Sequence, residues 1–206
     1  MKKIITLTAL AAFAAAPVFA ADKGKSESSD FWEKCDASAA LIYQFATASA
    51  SRGGLDRAGV DVRFSFDMDE FQQLSISLLG ANGEKEDALA DGVDLKTSEA
   101  ALLLGYRYNL VLPQGFKAFA GFRAGVSAVH YEIDSGKHNG WRDLKTDSCF
   151  AFAYSAEAGL SYDITKHWAV QIGYQYYGNT QELGGGSERF RDQQYHTVFA
   201  GATYSF

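Results

Sequence analysis

Serine, histidine and acidic side chains, which together can catalyse acyl transfer, lie close together at residues 127–132. Ser127, His130 and Glu132 would supply a nucleophile, a general base and an orienting carboxylate, the set that hydrolases use on unrelated folds. The three residues do not form a compact histidine–serine motif, and a histidine near a strand end is more often a polar residue at an interface. We therefore favour the interfacial interpretation over an enzyme.

Metal and phosphate chemistry is indicated more weakly. His138 with Asp134 and Asp143 offers metal ligands without a fixed spacing. The segment GGGS at 184–187 lacks the lysine and the strand-to-helix setting of a phosphate loop, so it is interpreted as a loop tip. The acidic segment 82–94 has the charge to hold a divalent cation, but a solvated loop explains it better. We predict no catalytic, cofactor-binding or metal site.

A third set of chemical groups consists of charged residues at positions that alternate with apolar ones. An isolated charge in a narrow interior has a desolvation cost of several kcal/mol, so such groups should be paired or hydrated. The candidates for an interior charge network are Asp61, Arg63, Arg107, Lys117, Arg123 and Glu157.

Period-two alternation predicts the elements that would position these charges. In GVDVRFSFD, for example, Val60, Val62 and Phe64 alternate with Asp61 and Arg63. A membrane strand needs about 9–11 residues, whereas soluble strands average about 5–6. Several of the segments are ten residues or longer, and about eight strands are predicted. The alternating segments are 39–47, 59–67, 72–80, 101–110, 116–128, 150–163, 168–178 and 195–206.

Connection lengths alternate as well, which is typical of an outer-membrane barrel with tight periplasmic turns and larger outer loops. The first outer connection, 51–56, is short, and it is the exception. The short connections are 68–70, 112–115 and 163–166, and the long polar ones are 82–97, 134–147 and 180–192. We predict an all-β fold, an eight-stranded antiparallel up-and-down transmembrane barrel.

The amino terminus predicts export. Met1–Ala20 begins with two lysines, continues with an apolar stretch too short to span a bilayer, and ends on small residues. The whole chain carries a charge of −6, and removing the two leader lysines leaves −8. This acidic charge argues against a nucleic-acid partner. The predicted division is a signal peptide at 1–20, a flexible periplasmic lead-in at 21–36 and the barrel at 37–206.

The composition of the two strand faces predicts which face is inside. A soluble barrel would turn Lys, Glu and Asp outward to water, but here the more polar face is mostly Gly, Ser, Ala, Gln and Thr with isolated charges. Those small groups fit a narrow, filled lumen. The apolar face carries rings near the strand ends, as in the interfacial girdles of membrane barrels. The predicted girdle residues are Tyr43, Tyr106, Tyr108, Tyr162, Trp168, Tyr174 and Tyr176.

The whole mature chain resembles the small eight-stranded outer-membrane barrels: the OmpA-type transmembrane domain, OmpX and the opacity proteins. The segment YDITKHWAVQIGYQYY is similar to their last hairpin, and FAGATYSF, with Tyr204 and Phe206, to their carboxy-terminal signal. This resemblance implies recognition of Phe206 by the barrel-assembly machinery, with periplasmic chaperones as earlier partners. It also implies a monomer in outer-membrane lipid and lipopolysaccharide, without a cofactor.

Three function classes remain open at this point. The favoured one is a structural or surface-interaction barrel that presents loops for adhesion or envelope integrity. The alternatives are a narrow, low-conductance channel, since eight strands leave little lumen, and a barrel enzyme that modifies lipid A.

Hairpin register also makes two specific predictions about pairs of residues. If the loop at 134–147 is centred near residue 140, Arg123 and Glu157 face each other within salt-bridge distance, with Arg107 close enough to join them. Cys35 and Cys149, by contrast, should lie at opposite ends of the barrel, too far apart for a disulfide.

Overall fold

Successive side chains of a strand point to opposite faces, and this alternation lets the sheet separate an apolar wall from a polar interior. The computed structural model describes residues 29–46, 55–85, 94–134, 147–183 and 190–206. In these residues eight antiparallel strands pair in chain order and close into a barrel, which confirms the predicted fold. The strands are β1 (Cys35–Ala46), β2 (Arg57–Asp67), β3 (Gln72–Lys85), β4 (Asp94–Val111), β5 (Phe116–Asp134), β6 (Asp147–Asp163), β7 (Trp168–Leu183) and β8 (Phe190–Ser205).

The strands are shifted in register where the sheet closes on itself. Leu41 lies on β1. Moving from each residue to the one directly opposite it on the next strand, across β2, β3, β4 and β5, leads from Leu41 to Phe150 on β6. Moving the other way, across β8 and β7, leads to Leu160 on the same strand, ten residues further on. A shift of this size in an eight-stranded barrel tilts the strands by about 40° and leaves an interior just wide enough for side chains.

Large apolar side chains cover the outside of the barrel. Leu41 and Ile172 are 61% and 64% exposed, whereas the inward neighbour Ile42 is buried. Apolar side chains left on the outer surface of a closed barrel are those that face lipid. No helix among the described residues is long and apolar enough to span a bilayer.

The periplasmic end has short turns. Asp69 Oδ1 accepts hydrogen bonds from the Phe71 and Gln72 amides in the first turn. The second is a 3₁₀ turn, Pro113–Gly115, in which Gln114 and Gly115 have φ of 65° and 81°. The left-handed region at two successive residues suits a tight reversal, and glycine adopts it without strain.

At the outer end the strands run further than the sequence predicts. β3 continues to Lys85 and β4 begins at Asp94, so strand structure enters the predicted loop 82–97 from both sides. The predicted loop 180–192 is shortened in the same way by β7 and β8. The apolar alternation stops above the bilayer because lipid no longer contacts the wall, although the backbone ladder goes on. The segments 86–93, 135–146 and 184–189, and 47–54 between β1 and β2, lie outside the described residues.

The base of the barrel includes residues that precede β1. A short helix, α1 (Ser29–Trp32), and the first residues of β1 lie within the predicted flexible lead-in 21–36. Phe31 stacks on Phe66 at 5.5 Å, and Trp32 lies 5.9 Å from the Phe206 ring. Residues 29–36, the described part of this segment, therefore pack against the barrel. The signal peptide, 1–20, lies outside the described residues.

Candidate functional site in the barrel lumen

Five buried charged side chains meet in the middle of the lumen. They are inward-facing because each occupies the polar position of its alternating strand. We call them the middle cluster: Asp61 and Arg63 of β2, Arg107 of β4, Arg123 of β5 and Glu157 of β6.

Glu157 is the centre of the middle cluster and contacts all three guanidinium groups. Arg63 donates from Nη1 to Glu157 Oε1 and from Nη2 to Glu157 Oε2, each at 2.8 Å. Arg107 donates to Glu157 Oε1 from Nε at 3.0 Å and from Nη2 at 2.9 Å. Arg123 Nη2 lies 3.5 Å from Glu157 Oε2. Paired, fork-like bonds of this kind are the strongest that arginine makes.

Asp61 joins two of the same arginines from the other side. Its Oδ2 accepts from Arg123 Nη1 at 2.6 Å and lies 3.4 Å from Arg63 Nη2. Arg123 also donates to Ser77 Oγ at 3.0 Å and to Gln175 Oε1 at 2.7 Å. The network thus connects six of the eight strands, β2 to β7, through the lumen, and removing one member leaves buried charges without their partner.

Arg123 and Glu157, the predicted pair, therefore lie within salt-bridge distance. They are not directly opposite each other, as the predicted register would have them. Glu157 is directly opposite Gly121, and Arg123 is directly opposite Ser155. The long arginine side chain reaches the carboxylate because diagonal neighbours on one face of a sheet lie only about 7–8 Å apart. Arg107 is also in the network, as the sequence predicts.

Glycine makes room for the Arg123 side chain. Gly105 is directly opposite Arg123, and a Cβ at this position would lie 2.5 Å from Arg123 Cγ and 2.8 Å from Ser75 Oγ. The arginine stem therefore crosses β4 where that strand has no side chain.

A second set of polar residues, the outer cluster, was missed by the sequence reasoning. Arg57 and Glu99 form a buried ion pair, and Tyr177 OH also donates to Glu99. Asn179 Nδ2 donates to Glu99 Oε1 at 3.1 Å, and Arg57 Cζ lies 3.8 Å from the centre of the Tyr195 ring. These residues occupy the outer parts of the strands, where the outward face is no longer apolar, and so the alternation that would place them is weak.

Lys117 does not belong to the predicted interior network. Its side chain is 40% exposed and pairs with Asp163 at 3.1 Å. Lys117 begins β5 beside a turn, so its long side chain reaches the periplasmic mouth instead of the middle of the lumen. At the same mouth Gln73 Nε2 donates to Asp36 at 2.9 Å and to Asp67 at 2.8 Å.

Apolar side chains occupy much of the remaining lumen. Phe119 and Phe199 stack with ring centres 6.2 Å apart, and Arg107 Cζ lies 4.0 Å from the centre of the Phe119 ring. Ile42, Leu79 and Leu103 pack into the same buried cluster. The interior is therefore filled by side chains.

The candidate hydrolase residues do not come together. Ser127 points into the lumen and is 1% exposed, whereas His130 and Glu132 lie on the outer face of β5. They are separated because residues an odd number apart on a strand have opposite faces. His130 Nδ1 instead lies 2.8 Å from Ser148 Oγ.

The metal candidates cannot be assembled from the described residues. His138 and Asp143 lie outside them, as does the GGGS segment, and in the described part of the chain no group of three or more His, Cys, Asp or Glu could hold a metal ion. Cys35 begins β1 at the periplasmic end and Cys149 is the third residue of β6 at the outer end, so the two lie at opposite ends of the barrel as predicted, and both are free cysteines in the described structure.

Rings cluster on the outer wall towards both of its ends. At the periplasmic end Trp168 contacts Tyr204 at 5.0 Å and Tyr162 contacts Phe116 at 4.8 Å. Towards the outer end Tyr43 contacts Phe45 at 4.7 Å. Tyr108 stacks on Phe71, Tyr106 lies beside Phe122, and Tyr174 and Tyr176 both lie beside His196.

A closed wall with lipid-facing apolar side chains and a filled polar interior defines the class of small outer-membrane β-barrels. Residues 5–206 match the family described as outer membrane protein beta-barrel domain, and the chain belongs to that family. It is a protein of the bacterial outer membrane.

Several solved structures share the fold. The Neisserial surface protein A is 14% identical with a TM-score of 0.57, over 84% of this chain and 97% of that one. The attachment invasion locus protein Ail of Yersinia pestis, in complex with the heparin analogue sucrose octasulfate, is 11% identical with a TM-score of 0.54 over the same shares. OprG of Pseudomonas aeruginosa is 14% identical with a TM-score of 0.51, over 84% and 95% of the two chains. No curated protein sequence matches the chain.

Proposed function

We propose that this barrel is a rigid stalk in the outer membrane that presents its outer connections to ligands outside the cell, and not a route for solutes. The observation that carries the proposal is the length of the wall between β3 and β6. β4 and β5 have 18 and 19 residues, whereas about 9–11 residues cross the membrane. The surplus carries the outer ends of β4 and β5 beyond the bilayer.

The outer surface of this surplus wall is polar, which supports its position outside the bilayer. Lys96 pairs with Glu84 at 3.3 Å and is directly opposite Glu132 on β5. Lower on the same strands the outer face carries Leu102 and Val126. Charged side chains on the lipid face of a barrel are destabilising at the bilayer midplane and tolerated near its edges, so the change of character marks the outer edge of the bilayer.

The lumen supports the same proposal from the inside. The middle cluster and the stacked Phe119 and Phe199 lie across it, and a solute would have to displace buried, paired charges. Such pairs are costly to separate. A binding role therefore falls to the projecting wall and the connections above it.

The two connections on the projecting wall have opposite charge. Segment 86–93 contains Glu86, Asp87 and Asp91 without a basic residue, and segment 135–146 contains Lys137, Arg142 and Lys145 with one acid, Asp143. Opposite charges on neighbouring connections favour ligands by electrostatic complementarity. The Ail structure contains a heparin analogue, so heparin is a reasonable first probe for the basic segment.

Binding of proteoliposomes to heparin and to cultured epithelial cells tests the proposal. We expect retention above that of protein-free liposomes, and loss of it when 135–146 is replaced by a neutral Gly-Ser segment of equal length. The matched control replaces 184–189, which carries one acid and one base, and should bind as the unaltered protein does. Equal retention of all samples would contradict surface binding and leave an envelope-structural role.

A further inference from the structure

Two aromatic side chains of α1 lie on the outer surface of the barrel, where its first and last strands meet. We call the boundary between β1 and β8 the seam, and Phe31 with Trp32 the clasp. Phe31 stacks on Phe66 of β2 with ring centres 5.5 Å apart, and Trp32 lies 6.4 Å from the Phe64 ring of the same strand. Trp32 also lies 5.9 Å from the ring of Phe206, which follows β8. The clasp therefore reaches across β1 and connects β2 to the end of β8.

Hydrogen bonds hold the clasp in place at the base of β1. Lys34 O accepts from the Asp67 amide of β2 at 2.7 Å, and the Lys34 amide donates to Phe31 O at 3.1 Å. Cys35 has an outward position on β1 by the alternation of the strand, yet it is only 1% exposed, whereas Leu41 on the same face is 61% exposed. The Cys35 thiol donates to Phe31 O at 3.4 Å, which places it under the clasp.

The seam lacks supports that other strand boundaries have. β1 and β8 are the two ends of the sheet in the chain, whereas every other neighbouring pair is consecutive and joined by a connection. Among the described residues, the hydrogen bonds of the middle cluster run from β2 to β7 and reach neither β1 nor β8. In the seam Ala39 is directly opposite Ala202, and Ala40 is directly opposite Gly201. Side chains this small add little contact to the backbone hydrogen bonds, so the seam depends on those bonds and on contacts at its ends.

We propose that the clasp is a latch that keeps the seam closed, and that the folded barrel opens first between β1 and β8. Phe31 and Trp32 are anchored on β2, so β8 cannot separate from β1 without breaking the contact of Trp32 with Phe206. A contact that is lost in the first step of opening contributes to the barrier, whereas contacts elsewhere in the wall are still formed when the seam parts. The clasp therefore controls how fast the barrel opens.

Unfolding kinetics in detergent test the proposal. The compact barrel is followed in concentrated urea as the fast-migrating band of an unheated gel, a measurement that does not depend on tryptophan fluorescence. We expect Trp32→Ala to unfold about three- to tenfold faster than the unaltered protein, the factor that one aromatic pair contributes. An unaltered rate would overturn the proposal.

The matched control is Trp168→Ala, which removes the other described tryptophan of the periplasmic end. Trp168 is 36% exposed, against 40% for Trp32, and its ring lies 5.0 Å from Tyr204 across the boundary between β7 and β8. This contact persists while β8 leaves β1, so we expect the control to unfold within about twofold of the unaltered rate. Equal acceleration by the two substitutions would overturn the proposal.

A disulfide across the seam gives a second test, which asks where the barrel opens. Directly opposed residues have Cα atoms about 4.5–5.5 Å apart, within disulfide range. In a Cys35→Ser/Cys149→Ser background, Ala39→Cys with Ala202→Cys therefore cross-links β1 to β8 on oxidation. We expect the oxidised form to abolish the acceleration that Trp32→Ala causes, and reduction to restore it.

The control disulfide lies on the far side of the wall. Leu104 and Ala124 are directly opposite each other across β4 and β5, and Leu104→Cys with Ala124→Cys should leave the acceleration by Trp32→Ala in place when oxidised. Rescue by both disulfides would mean that any cross-link slows unfolding. Rescue by neither would mean that the barrel opens elsewhere, and either result would overturn the proposal.

Discussion

At the scale of single residues, Glu157 is the residue on which the lumen depends most, because three arginines share its carboxylate. Glu157→Gln keeps the shape and removes the charge, so we expect the free energy of unfolding in detergent to fall by about 3–5 kcal/mol, as for other broken buried pairs. Urea titration measures the change. Glu132→Gln, on the outer face of β5, is the control, and we expect it to shift the unfolding free energy by under about 0.5 kcal/mol. Equal effects of the two would contradict the network.

The contacts of Glu157 also rank its partners. Arg63 makes two hydrogen bonds of 2.8 Å to Glu157. Arg123 approaches Glu157 only to 3.5 Å and makes its shorter hydrogen bonds to Asp61 and Gln175. Double-mutant cycles to alanine should give a larger coupling energy for Arg63 with Glu157 than for Arg123 with Glu157. We expect at least about 1 kcal/mol for the first pair. The reverse order would contradict this ranking of the two arginines.

At the scale of the strands, Gly105 connects the backbone of β4 to the network. Gly105→Ala places a Cβ against the Arg123 stem, so we expect a loss of about 1–3 kcal/mol in unfolding free energy, the usual cost of overpacking. The loss should largely disappear in an Arg123→Ala background. Gly80→Ala on β3 is the matched control, because a Cβ there meets nothing within 4 Å. A penalty that persists without Arg123 would assign the glycine a backbone role instead.

The connections between strands define the topology that proteolysis can check. Protease added to intact cells should cut within 47–54, 86–93, 135–146 or 184–189, and should leave the turns at 112–115 and 163–166 uncut until the outer membrane is opened. Fragment masses give the cleavage sites. A cut at either periplasmic turn in intact cells would show that the barrel has the opposite orientation in the membrane.

Much of this wall is predictable from sequence, and the reason is physical. Lipid on one side and packed side chains on the other force a strict alternation, and so the strands, their faces and the inward positions of Arg63, Arg123 and Glu157 follow from it. The inward positions of Arg57 and Glu99 do not follow from the alternation, because these residues lie outside the bilayer, where the outer face of the strands is no longer apolar. Lys117 is misplaced for a related reason: strand position alone does not tell how far a long side chain reaches along the barrel axis.

At the scale of the whole molecule, the carboxy terminus is both a predicted signal and a packed residue. Phe206 is only 9% exposed, covered by Trp32 and Tyr204, and its amide donates to the Cys35 carbonyl at 3.2 Å. Deleting Phe206 should lower the amount of inserted protein, measured as the heat-modifiable band on a gel. Trp32→Ala removes one of the two ring contacts of Phe206 and keeps the terminus, so it should insert normally. Equal losses in both variants would mean that packing, and not a signal, explains the requirement.

The seam between β8 and β1 brings Phe206 beside the first residue of the sheet. In a closed sheet no strand is intrinsically the first or the last. A short peptide joining residue 206 to residue 35, with new ends opened at Pro113–Gly115, would give a circular permutant with every ladder pair intact and β4 in the terminal position. Such a chain should reach the same folded barrel in detergent. Any deficit in its delivery to the outer membrane would then come from the changed order of synthesis and the loss of a terminal Phe206, and not from the folded sheet.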